Sequence, residues 1–186
     1  MTDTIHTAPQ PRDPLLFAAQ GILWFFIVVL SFGGVIAALG VPLVAIVQDQ
    51  IVAEMAADGI SAGPEAIGAL MILLASAAAF LALAVYFLIL LLRIVKSVRQ
   101  GDPFVAENAQ RLSRMGWVAL AGQVAMIPLT AMALWLEDTI GDERGLNIES
   151  DITVNGSGIL LVLVLFILAR VFRKGAEMRD ELEGTV

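Results

Sequence analysis

Four stretches of the chain carry no Asp, Glu, Lys or Arg: residues 15–48, 66–92, 115–136 and 152–169. Each is a solid apolar run, as in LLASAAAFLALAVYFLILLL, and not an alternation of apolar and polar positions. A helix needs about 20 mostly apolar residues to cross ~30 Å of hydrocarbon. The first three runs meet this easily. The fourth has Asn155, Gly156, Ser157 and Gly158 at its mouth, so it is expected to borrow Val171 and Phe172, with Arg170 snorkelling to the surface. Barrel strands would show short alternating segments, and lipid offers no partner for a free backbone NH or CO. The pattern therefore predicts an all-α membrane protein with four transmembrane helices in an antiparallel bundle. The spans fall at about 18–47, 66–93, 115–136 and 156–173.

The first run exceeds the ~7–15 apolar residues of a removable signal peptide and is expected to be a retained span. No region outside the spans is large enough for a core of its own. The expected organisation is a disordered tail over 1–14, holding His6, Pro9, Pro11 and Pro14; one transmembrane domain over 15–183; and a short tail over 184–186.

Between the second and third runs lies a helical hairpin, 94–114. Gly101 suits the positive φ that ends a helix, Asp102 suits an N-cap, and Pro103 suits the first position of the next helix, which then runs from Phe104 onward. The second span is expected to continue as helix through Val98. In the loop after the third run, Leu146, Ile148, Ile152 and Val154 alternate with polar residues, the period of a short β-strand. The tail 170–186 continues the fourth helix, with Arg173–Glu177 and Arg179–Glu183 spaced to pair and Gly184 to stop it.

Charge gives this arrangement a direction. The segment 93–117 holds Arg93, Lys96, Arg99, Arg111 and Arg114, five of the eleven basic residues. Arg12 and the group Arg170, Arg173, Lys174 and Arg179 fall on the same side, and Arg144 alone lies on the other. The opposite connections are acidic, with Asp49, Glu54, Asp58 and Glu65 in one and Glu137, Asp138, Asp142, Glu143, Glu149 and Asp151 in the other. The positive-inside rule places the hairpin and both termini in the cytoplasm. The net charge of −7 thus belongs mainly to the outer loops and implies no nucleic-acid binding. Attraction of the hairpin to anionic inner-leaflet lipid is the simpler reading. Trp117 and Trp135, about 27 Å apart on a helix, fit interfacial anchors at the two ends of the third span. The composition, 59% hydrophobic with mean hydropathy +0.86, agrees with a membrane chain.

Candidate chemistry is sparse. There is no cysteine, no phosphate-binding glycine loop and no metal-ligand spacing. The spans offer Ser31, Ser76, Tyr86, Gln123 and Thr130 but no acid and no His, so no catalytic residue, cofactor or metal is expected. A small transporter or channel subunit is the alternative, with Ser76, Tyr86, Gln123 and Thr130 as its material for a polar path. Pro42 and Pro128 suit kinks in spans one and three. Gly33, Gly34, Ala37, Ala38 and residues 75–79 permit close helix approach, which serves bundle packing or a homo-oligomer.

The stretch QGDPFVAENAQRL resembles a G-x-P-F-x-x-x-N-x-x-R-L element of the bacterial membrane family called domain of unknown function 2975. It is carried here by Gly101, Pro103, Phe104, Asn108, Arg111 and Leu112. The ending ILARVFRKGAEMRDELEGTV, with Phe172 and Gly175, is similar to that family's charged tail. The resemblance implies an inner-membrane protein with no assigned biochemical activity. It also implies a neighbouring gene for a small Cro/repressor-type transcription regulator as partner. On that expectation Arg99, Phe104, Asn108, Arg111 and Arg114 bind the partner. The competing expectation is a structural one: Phe104 folds back on Val98 or Leu112 while Asn108 and Arg111 bond carbonyls at the end of span two.

Overall fold

A computed structural model describes residues 14–57, 64–101, 103–140 and 156–183. They form α1 (Pro14–Ala57), α2 (Pro64–Arg99), α3 (Ala106–Ile140) and α4 (Gly156–Glu183). All four are long and apolar enough to cross a membrane. Each helix outruns its expected span. At 44 residues, α1 is about 66 Å long at ~1.5 Å per residue, roughly twice the hydrocarbon thickness. Asp49 and Glu54, expected in an outer loop, are helical in its last turns. Pro42 and Pro128 lie inside α1 and α3, and neither ends its helix. The expected strand over 146–154 lies outside the described residues.

The helices pack in chain order, and each runs against its neighbour. On the α1–α2 seam, Gly33 and Gly34 face Leu81, Gly40 faces Leu74, and Leu23 and Ile27 cluster with Leu92. The α1 glycines thus admit leucine side chains of α2, which is ordinary packing of small against large. On the α3–α4 seam Gly116 faces Phe166 and Gly158 faces Gln123.

Backbones approach closely for α1 with α2, α2 with α3, and α3 with α4, and for no other pair among the described residues. The bundle is therefore an open array. Helices α2, α3 and α4 share one buried cluster of Leu90, Ile94, Leu112, Met115, Leu165 and Ala169, close to the α2–α3 turn. The remaining surface is strongly apolar. Phe25, Phe32, Leu43 and Ile46 of α1 and Ile159, Leu163 and Ile167 of α4 are all exposed. That is the pattern of helices whose outer faces meet lipid.

Candidate functional site: the hairpin between α2 and α3

The turn begins with a glycine stop. Gln100 donates its backbone NH to the carbonyls of Lys96 and Ser97 (both 3.1 Å), and Gly101 donates to Val98 (3.0 Å). Gly101 has φ 86°, a conformation that strains any residue with a Cβ. Here the expected role of Gly101 holds.

The start of the next helix is different from the expectation. Helix α3 begins at Ala106, and residues 103–105 are not helical. The reason lies in Asn108, whose side chain is fully buried. Its Nδ2 donates to the Pro103 carbonyl (2.9 Å) and to Ser97 Oγ (2.6 Å). Its Oδ1 accepts from the Arg111 guanidinium (2.7 Å). Ser97 in turn donates to the Ile94 carbonyl (2.8 Å). With the Pro103 carbonyl held by a side chain, the first backbone bond of α3 falls at Asn108 NH to Val105 C=O (3.0 Å). One amide thus ties α2, the turn and α3 together. Both its hydrogens and its oxygen are used, as burial of so polar a group requires.

Phe104 makes a contact that its local sequence does not show. Its ring packs on Phe172 of α4, with centroids 5.2 Å apart and planes at 40°. It also covers Gly175, where an added Cβ would stand 2.8 Å from the ring. A side chain at 175 would therefore push Phe104 off its seat. The residue as a whole remains 45% exposed.

The five residues expected to bind a partner thus separate. Asn108 and the half-buried Arg111 are turned inward and joined to each other. Phe104 is half seated on α4. Arg99 and Arg114 lie on the surface; Arg99 donates to Gln20 Oε1 of α1 (2.9 Å), and Arg114 has no partner among the described residues. Ser97 went unnoticed in the sequence. Phe172 and Gly175 were visible there only as part of the tail, with nothing to show that they meet Phe104.

The tail helix differs in one pairing. Glu177 pairs with Lys174 (3.2 Å), one turn away, and not with Arg173. Spacing of i,i+3 serves as well as i,i+4, so the sequence left both partners open.

The polar residues within the spans do not converge. Ser76 and Thr130 donate to carbonyls of their own helices, at Ile72 (2.7 Å) and Met126 (2.8 Å). Tyr86 is exposed. Gln123 is the one polar side chain lining a cavity of about 220 Å³ between α2, α3 and α4, walled by Phe80, Phe87 and Leu161. Among the described residues no three His, Asp or Glu side chains gather as metal ligands.

Four antiparallel helices of membrane-crossing length, laced by side-chain hydrogen bonds at one turn, define a multi-pass membrane protein. Residues 54–186 match the family described as Protein of unknown function (DUF2975), and the chain belongs to it. The match begins in the last turns of α1 and takes in α2, the hairpin, α3 and α4. Neither the curated proteins nor the solved structures contain a match to this chain.

Proposed function

We propose that this is an inner-membrane regulatory or sensory protein without enzymatic activity. Its hairpin and both termini lie in the cytoplasm, and the rim of the hairpin binds a small helix-turn-helix transcription regulator. The observation that carries the reading is the split within the hairpin. Asn108 and Arg111 hold the turn from inside, while Arg93, Lys96, Arg99 and Arg114 remain on the surface and Phe104 stays half exposed. A pre-ordered cationic surface with an exposed aromatic edge binds at a low ordering cost. The regulator as partner comes from the family resemblance, and the side of the membrane from the distribution of Lys and Arg.

Two experiments test the two halves of this reading. Alkaline phosphatase fused near Asp58 or Gly141 is expected to be active, and near Asp102 inactive; the reverse pattern overturns the orientation. For the partner, the regulator encoded by the adjacent gene is expected to co-purify with the full chain from detergent extracts. Arg99→Glu with Arg114→Glu should abolish that capture, because charge complementarity at a rim governs encounter. Capture that survives both reversals removes the hairpin as the docking site.

A further inference from the structure

A cleft of about 530 Å³ opens between α3 and α4. Its floor is apolar, formed by Phe166 and Ala169. Above the floor, successive turns of α4 present Arg170, then Arg173 and Lys174, and α3 contributes Ser113 from the opposite wall. Glu177 also lines the cleft, and its carboxylate pairs there with Lys174 at 3.2 Å, which leaves Arg170 and Arg173 as the cations without a counter-charge among the described residues. Arg170, Arg173 and Ser113 have no hydrogen-bond or ion-pair partner among the described residues. The position of the cleft along the helix axis is equally informative. Trp117 packs edge-on against Phe166 with centroids 5.5 Å apart and is itself exposed, as expected of a ring at the membrane surface. Ile167, next to Phe166, and Leu163, one turn further into the span, are exposed apolar side chains.

We propose that this cleft holds the phosphate headgroup of an anionic phospholipid. Arg170 and Arg173 bind the phosphate oxygens, Ser113 donates a further hydrogen bond, and the acyl chains lie along Leu163 and Ile167. Guanidinium groups suit phosphate through paired NH donors, and basic recesses between spans are where anionic headgroups collect. Lipid is favoured over a soluble phosphate because the cations sit directly above an apolar floor that opens onto the lipid-facing surface. The assignment rests on the membrane reading above but not on the regulator. A reversed fusion pattern would move the cleft to the other leaflet, whereas loss of lipid binding would leave the fusion pattern as it is.

The test is native mass spectrometry of the full chain in neutral detergent, titrated with phosphatidylglycerol, phosphatidylcholine or inorganic phosphate. One phosphatidylglycerol is expected to be retained per chain; phosphatidylcholine should not be retained, and millimolar phosphate should not displace the lipid. Arg170→Gln with Arg173→Gln should weaken retention on the order of tenfold or more, at roughly fivefold per well-placed base. Ser113→Phe, which fills the cleft without altering charge, should also weaken it. Arg179→Gln, exposed on α4 and outside the cleft, should leave it unchanged. Equal retention of phosphatidylcholine, equal loss with Arg179→Gln, or no loss with either cleft variant overturns the site. Displacement by inorganic phosphate alone overturns lipid as its occupant.

Discussion

The hairpin and helix α1 are held to α2 in opposite ways. At the hairpin, one buried amide joins α2, the turn and α3, and an aromatic ring carries the connection on to α4. Along α1 the attachment is a seam of glycines against Leu74 and Leu81 and an apolar cluster of Leu23, Ile27 and Leu92, with an exposed hydrogen bond from Arg99 to Gln20 at one end. Within lipid, apolar burial gives helices little reason to associate, and packing and hydrogen bonds decide. The α2–α4 unit therefore has an internal lock that α1 lacks. The family match follows this division, since it starts at residue 54 and leaves out most of α1.

The comparison breaks most visibly at Asn108. Asn108→Ala removes three hydrogen bonds and strands the Pro103 carbonyl and Arg111. We expect a loss of about 2–4 kcal/mol, read as an unfolding free energy in mild detergent. A smaller loss, about 1–3 kcal/mol, is expected for Gly175→Leu, which drives Phe104 off α4; Phe104→Ala made in that background should then add little, since the contact is already gone.

On the α1 side, the absence of native cysteine makes cross-linking unambiguous. The Cβ position at Gly34 lies 3.5 Å from Leu81 Cβ, within disulfide range. Gly34→Cys with Leu81→Cys should cross-link quantitatively under mild oxidation and hardly change the stability of α2–α4; failure to cross-link would place α1 elsewhere. The smallest effect belongs to Gln20→Ala, which removes the exposed bond to Arg99 and should cost under about 1 kcal/mol. A loss as large as that of Asn108→Ala would erase the distinction between the two attachments.

How much of this was legible beforehand follows from the range of each interaction. Four helices can be read directly, because lipid leaves a solid apolar run no other form. The stop at Gly101 is legible too, since a positive φ is a local demand. The start of α3 was misplaced by a few residues, because local rules favour Pro103 as a first helical residue and know nothing of an Asn108 side chain that takes its carbonyl. The seat of Phe104 could not be read at all. It joins residue 104 to residues 172 and 175, and no local pattern connects them. What the sequence did offer was two family-like elements, the hairpin and the tail, and these prove to touch.

The central claim is that Asn108 and Ser97 form one lock and are not two independent polar residues. A double-mutant cycle of Ser97→Ala and Asn108→Ala, measured as unfolding free energy in one detergent, tests it most directly. The account predicts a coupling of about 1 kcal/mol or more between the two substitutions. Losses that simply add, within ~0.3 kcal/mol, would contradict it.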